Sequence, residues 1–329
     1  MHDVARLAGV SLKTVSRVVN AESGVRPATE RRVRAAIDEL GFRRNLGASH
    51  LRRGTSTGTI GVLLEDLANP FYATLTRAVE EVARRSGRHV LAGSSDEDPD
   101  RERELALDFC SRRVDGLVVV PTGGRHDYLI PEIDAGLPVV FVDRPADGVA
   151  ADTVLLDNAG GAKAAVRHLA AHGHRRIAFL GDAPGIYTAA ERLRGFRAGT
   201  DGDFVAMGPH DETTVERAIH DFLDRPRRAT ALVTGNNRIT LLALRALAGR
   251  RTGRADRTGR GRPALVGFDD FELADLMTPP VTVVSHDIEL LGRTAAELLS
   301  ARIAGDDPPP RQVTVPARLI ARGSGETRP

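Results

Sequence analysis

Apolar positions in the first forty residues recur at helical spacing in three short stretches. Val4, Leu7 and Ala8 form one set, Gly9-Val10-Ser11 interrupts it, and Val15, Val18 and Val19 resume it. Gly9 can take the positive φ of a tight interhelical turn, and Ser11 is suited to cap the second helix. A third helix is predicted from Pro27 to Leu40, with Pro27 in its first turn, Val33, Ala36, Ile37 and Leu40 on one face, and Gly41 as its C-cap. Residues 45–53 (NLGASHLRR) give only a marginal helix with one strong apolar anchor, too weak to stand alone. From Thr59 the period changes. TIGVLL, HVLAGS, DGLVVV and PVVFVD read as strands, with FYATLTRAVEEVARRSG and a segment around Arg101 to Arg113 as helices between them. A second series begins at Asn158 and holds IAFLG, ATALVTG and ALVGFDD, again with helices between. Such alternation predicts α/β architecture with parallel sheets, here in two Rossmann-like subdomains.

Two stretches break the rhythm. Residues 197–212 (RAGTDGDFVAMGPHDE) are short for a helix end, a loop and a strand, and Arg250 to Arg262 (RRTGRADRTGRGR) has no apolar period and reads as a solvated loop.

The chain has 329 residues, enough for two or three domains with cores of their own. Its single cysteine, Cys110, lies in an apolar run, LDFCSRRVDGLVVV, and is expected to be a small buried hydrophobe, so no disulfide framework exists. The N-terminus shows no signal-peptide core and no run approaches the length of a membrane span, which leads to the expectation of a cytoplasmic protein without a membrane partner. Net charge is only +2, but Met1 to Thr57 carries eleven Lys and Arg against five Asp and Glu, a local net of +6. The remainder is left at about −4. A small basic segment on an otherwise acidic chain suits a polyanionic partner.

The first two predicted helices and their glycine turn make a helix-turn-helix, in which the second helix enters the major groove of double-stranded DNA. Leu12, Lys13, Ser16 and Arg17 are expected to point outward toward base edges, with Arg17 and Lys13 able to donate to guanine O6 and N7 and Leu12 able to pack on a thymine methyl. Thr14 and Asn20, and Ser16 as an alternative role, are expected to hold phosphates and set register.

DVARLAGVS, TVSRVVN, the helix ending ELGF and the N-x-x-A-x-x-L pattern at Asn45, Ala48 and Leu51 together resemble the headpiece of the lactose-repressor (LacI/GalR) family. The resemblance runs on through DLANPF, RRVDGLVVV, VDR, DNAGGAKAAVRHLAAHGHRRIAFLG, RLRGF, GFDD, PPVTVVSHDIELLGRTAAELL and RLIARGS. It implies that residues 45–57 hold a hinge helix that folds on operator DNA. There Leu51 would wedge into the minor groove, Ala48 would let two hinge helices approach, Arg52 would follow the groove, and Arg44 and Asn45 would sit near phosphates. This chain departs from the family in beginning Met1-His2 before Asp3, in carrying Arg26 where a capping Ser is usual, and in carrying Arg44 where a Pro usually precedes the hinge.

Behind a headpiece at 1–44 and the hinge at 45–57, the resemblance implies a periplasmic-binding-protein-like core over 58–323. Its first subdomain would cover about 58–157 and 286–311 and its second about 158–285 and 312–323, with crossovers near Asp157, Ser285 and Arg311 and a tail at 324–329. Such cores close on a small-molecule effector, commonly a sugar. The positions that match the family's pocket are Asn69, Phe71, Arg192, Asn236 and Asp269, all at expected carboxyl ends of strands; Asn237 stands where the family usually has Asp. No G-x-G-x-x-G, Walker, H-E-x-x-H or G-x-S-x-G pattern and no cluster of metal ligands is present, so neither an enzyme nor a cofactor or metal is expected. The resemblance implies a homodimeric, effector-controlled operator binder, a repressor in most relatives, dimerising through helices near Phe71–Ser86 and Asp287–Ile303. No leucine heptad follows RGSGETRP, which speaks against a coiled-coil tetramer. The alternative is a transport-type sugar-binding protein of the same fold.

Overall fold

The computed structural model describes residues 1–20, 22–42, 56–200, 204–224, 226–252 and 262–329. The chain divides into two compact units, Met1–Thr57 and Gly58–Pro329.

In the first unit α1 (His2–Ala8), α2 (Leu12–Val19) and α3 (Pro27–Glu39) enclose a core of Val4, Ala8, Val15, Val18, Val33 and Ala36. Gly9 ends α1 at φ 60°, a left-handed conformation that glycine adopts freely, and Ser11 Oγ accepts from Thr14 N at 3.2 Å to cap α2. Arg26 stands at the N-cap of α3 without a side-chain capping bond, so Pro27 begins that helix unaided. Two members of the predicted apolar faces are not buried: Leu7 is 47% and Leu40 45% exposed. The core is one narrow stripe. Leu7 lies about 100° around the helix from Ala8, outside it, and Leu40 falls at the α3 C-cap.

The second unit holds two six-stranded sheets. Strands β1 (Thr59–Leu64), β2 (His89–Ser94), β3 (Gly116–Val119), β4 (Val139–Val142) and β5 (Asp152–Leu156) join β11 (Gln312–Val315) in the all-parallel order β11-β5-β4-β3-β1-β2. The second sheet, in the order β12-β10-β9-β8-β6-β7, comprises β6 (Ile177–Gly181), β7 (Val205–Met207), β8 (Ala231–Thr234), β9 (Ala264–Phe268), β10 (Thr282–His286) and β12 (Ala317–Ile320). Only β12 runs antiparallel to its neighbour. In the first subdomain α4 (Pro70–Arg85), α5 (Pro99–Ser111) and α6 (Ile130–Asp134) link the strands, and α11 (Ile288–Ile303) returns from the second to pack on α4. In the second, α7 (Asn158–Ala171), α8 (Tyr187–Arg197), α9 (Glu212–Leu223) and α10 (Asn237–Thr252) flank the sheet. Near-continuous apolar strands such as β4 and β9 are buried throughout, as a parallel sheet covered on both faces requires.

Three expectations change. The third crossover lies at Pro316, not near Arg311, because β11 belongs to the first sheet and β12 to the second. The apolar run QVTV-P-ARLI is therefore two strands of different sheets, separated by a residue without a backbone donor. The last six residues are docked and not a loose tail. Ser324 Oγ donates to Leu265 O at 2.6 Å and accepts from Thr282 N at 2.9 Å, and Thr282 Oγ1 donates to the Glu326 carboxylate at 2.8 Å. The shortened segment after Phe196 still yields the end of α8 and a three-residue edge strand, β7. Cys110 is half-buried, with its thiol pushed up to about 11 by burial, which keeps it protonated and unreactive at neutral pH. The Arg/Gly run is outside the described residues between 253 and 261. Among the described residues no helix is long and apolar enough to cross a membrane and no grouping of three metal-capable side chains occurs.

Candidate functional site

In the first unit, the face of α2 away from the core carries the residues singled out for base edges. Lys13 and Arg17 are exposed, Leu12 is 40% exposed, and Ser16 is half-buried. Thr14 and Asn20 are tied into the local scaffold: Thr14 Oγ1 lies 2.9 Å from Ser11 Oγ, while Asn20 Nδ2 donates to Ser16 Oγ at 3.3 Å and to Glu22 Oε1 at 3.2 Å. Glu22 also stands 3.9 Å from Arg17 Nε. The hinge and flanking positions Arg44, Asn45, Ala48, Leu51 and Arg52 lie outside the described residues.

In the second unit, strand ends from both sheets meet at one cleft, and all five expected pocket residues line it: Asn69, Phe71, Arg192, Asn236 and Asp269. The cavity at its floor measures about 40 Å³, space for a water or two, so a ring-sized ligand requires the subdomains to part. A neighbouring recess of about 340 Å³, lined by Thr122, Tyr187 and others, shares Arg144 and Ile186 with it.

Arg192 is the best-held of the five. It is 6% exposed; Nε donates to Asn158 Oδ1 at 2.7 Å, Nη1 to Gly235 O at 2.6 Å and to Asp269 Oδ2 at 3.3 Å, and the guanidinium lies 4.1 Å over the Phe268 ring. Gly195, one turn along α8, makes this possible, since any Cβ there would overlap the Ala159 carbonyl of α7. Burial opposes ionisation of Asp269, but the Arg192 charge and His286 hold its carboxyl below the usual range.

The other expected residues play more structural parts. Asn69 caps α4, its Oδ1 accepting from Phe71 N at 3.1 Å and, across the cleft, from Asn237 Nδ2 at 3.0 Å. Phe71 is 7% exposed, packs edge-to-face on Tyr72 and belongs to the first subdomain's core. Asn236 caps α10 through Ile239 N at 2.8 Å and donates to Asp182 Oδ2 at 3.0 Å.

The first subdomain contributes a charged group that sequence reasoning missed. Glu65, directly after β1, accepts from Tyr72 OH at 2.8 Å and from Arg144 Nη2 at 3.1 Å. Arg144 also meets Glu97 Oε1 at 2.5 Å and donates to Pro121 O at 3.2 Å. Burial, reinforced by the Glu97 charge and opposed by Arg144, pushes the Glu65 carboxyl up to about 7. Asp143 is 3% exposed and raised by burial against the pull of Arg144. Asp143 and Asp269 occupy matching places: each follows the fourth strand of its own series, each has a positive φ (68° and 62°), and each donates its backbone N–H to the neighbouring strand, to Val154 O and Val284 O. The legible signal was the strand PVVFV ending in Asp-Arg as ALVGF ends in Asp-Asp.

The description "Periplasmic binding proteins and sugar binding domain of LacI family" matches residues 57–323, and "Bacterial regulatory proteins, lacI family" matches residues 1–45. The maltose regulon regulatory protein MalI of Escherichia coli (strain K12) is 35% identical over 98% of this chain and 97% of its own length. Among solved structures, the lac repressor dimer bound to operator and the anti-inducer ONPF superimposes with a TM-score of 0.83 at 26% identity, over 99% of this chain and 98% of that one. The CelR–cellobiose complex superimposes with a TM-score of 0.68 at 32% identity, over 98% of each chain. The helix-turn-helix, the paired α/β subdomains and these matches together make the chain a member of the lacI family of bacterial regulatory proteins, a non-enzymatic DNA-binding transcriptional regulator with a sugar-binding type of effector domain.

Proposed function

We propose that the protein is a cytoplasmic repressor that binds a near-palindromic operator as a homodimer and is controlled by a sugar or sugar derivative held in the cleft. The observation that carries this reading is the Arg192 constellation. A buried guanidinium, fixed by Asn158, Gly235 and Asp269 at the meeting of the two subdomains, offers a rigid donor fork to vicinal hydroxyls. Asp269 and Asn237 supply an acceptor and an amide beside it. An effector bound there bridges both subdomains and so biases their closure, which is the differential affinity that control requires.

On the DNA side, Lys13, Arg17, Leu12 and Ser16 read bases, Thr14, Asn20, Arg44 and Asn45 serve phosphates, and Ala48, Leu51 and Arg52 form the minor-groove hinge. The dimer surface uses the outer faces of α4 and α11, which pack on each other in the first subdomain. The lac repressor structure is a dimer on operator, and CelR is seen with cellobiose; both support the reading by likeness.

The test is anisotropy of a labelled fragment from the region upstream of the protein's own gene, titrated at several salt concentrations with and without a sugar panel. Binding above the non-specific level, shifted by one sugar, is expected, and the sign of the shift tells release from co-repression. Only non-specific, salt-erased binding under every condition overturns the proposal.

A further inference from the structure

The cleft floor carries more negative charge than its own cations balance. From the first subdomain, the carboxylates of Glu65, Glu97 and Asp143 all lie against one guanidinium, Arg144, at 3.1, 2.5 and 3.8 Å. From the second, Asp269 takes Arg192, while Asp182 is met by the neutral amide of Asn236. His286 Nδ1 lies 3.6 Å from Asp269, and even counted as a cation it leaves five carboxylates against three positive groups. The rim pair Asp66–Arg238, 3.7 Å apart, cancels itself. In a desolvated site such an excess is felt strongly.

A second observation locates the gap. Asp143 lines the cavity, is 3% exposed, and its buried Oδ1 has no hydrogen-bond donor among the described residues. A left-handed backbone at φ 68°, costly for a non-glycine residue, holds it there. Beside it the 40 Å³ cavity has room for a group the size of an ammonium. No three of the acidic side chains gather as metal ligands among the described residues, so the missing charge is organic. A neutral sugar supplies donors without charge, and a carboxylate or phosphate adds to the excess.

We infer that the effector is an amino sugar whose protonated amine sits against Asp143 and Glu65 while its hydroxyls meet Arg192 and Asp269. This rests on the reading of the cleft as a sugar site and narrows its ligand class.

The test is calorimetric titration of the full-length protein with matched trios: glucosamine, glucose and glucuronate, and the galacto and manno equivalents, at about pH 7 so that the amines are substantially protonated. One amino sugar binds about tenfold or more tighter than its hydroxyl parent, with the uronate weakest. Asp143→Asn and Glu65→Gln, each first checked for an intact melting transition, shrink that advantage to about threefold or less while the parent sugar's affinity changes little. A parent sugar or uronate that binds as well as its amine overturns the inference and leaves the sugar reading standing. An amine advantage unchanged in both variants overturns it too. Absence of binding by every member of all three trios overturns both the inference and the sugar reading.

Discussion

Asn237 donates to Asn69 across the cleft at 3.0 Å, joining the first residue of α10 in one subdomain to the capping residue of α4 in the other. Asp66 and Arg238 repeat the link one residue away on each side, at a looser 3.7 Å. The two contacts latch the mouth of a cleft whose floor is nearly closed. Closure is thus written partly in residues that need never touch an effector.

Asn237→Ala removes the latch and leaves the helix caps in place, because Asn69 still accepts from Phe71 N and Asn236 still caps α10. One hydrogen bond of about 1 kcal/mol is at stake. Effector affinity is expected to fall by roughly three- to tenfold through the lower population of the closed form, with effector-free operator affinity unchanged. Calorimetry and operator anisotropy on the same preparation check both halves.

Arg192→Ala leaves Asp269, Asn158 Oδ1 and the Gly235 carbonyl without their donor. The effector response is expected to vanish while operator affinity at low temperature stays intact. Loss of one partner of a buried ion pair should cost about 3–5 kcal/mol, read as a lower melting temperature. A surviving effector response would place the pocket elsewhere.

The difference between Arg192 and Arg144 shows how far the chain could be read in advance. Elements and their order followed from periodicity, because β1, β4, β6 and β9 are apolar runs of strand length bounded by helices. Arg192 was visible because the spacing to Gly195 is a local signature. Arg144 and Glu65 were not. Their pairing joins positions 79 residues apart, and periodicity carries no information about which strand ends become neighbours in the folded sheet. The Pro316 crossover was missed for a related reason: short strands assigned to different sheets look the same as one strand broken by a proline.

Glu65 has a consequence for stability against pH. Its carboxyl titrates near 7 in the folded chain, above the ordinary 4.5, so the native state holds its proton more tightly than the unfolded state between those values. Native stability therefore falls as pH rises from about 4.5 to 7, by roughly 1–3 kcal/mol from this group. Glu65→Gln should flatten that decline. Denaturant midpoints at a series of pH values for the two proteins test it, and parallel curves would contradict it.

Arg17→Ala should relax preference at a single base pair and cost roughly 1–3 kcal/mol of specific binding. Its neighbour Glu22, 3.9 Å away, steadies the guanidinium without burying it. A uniform loss over all sequences in a mismatch panel would instead mark Arg17 as a phosphate contact.

The docked C-terminus alters how lesions in this gene should be read. Ser324 stitches Leu265 to Thr282 at the starts of β9 and β10, the end of the sheet remote from the cleft. Glu326 reaches His168 on α7, and the Thr327 carbonyl lies 2.8 Å from His174 Nε2. A nonsense codon at position 324 would trim six residues beyond every recognisable motif and look harmless on paper. Yet it would unseam two central strands from below and act as a null allele.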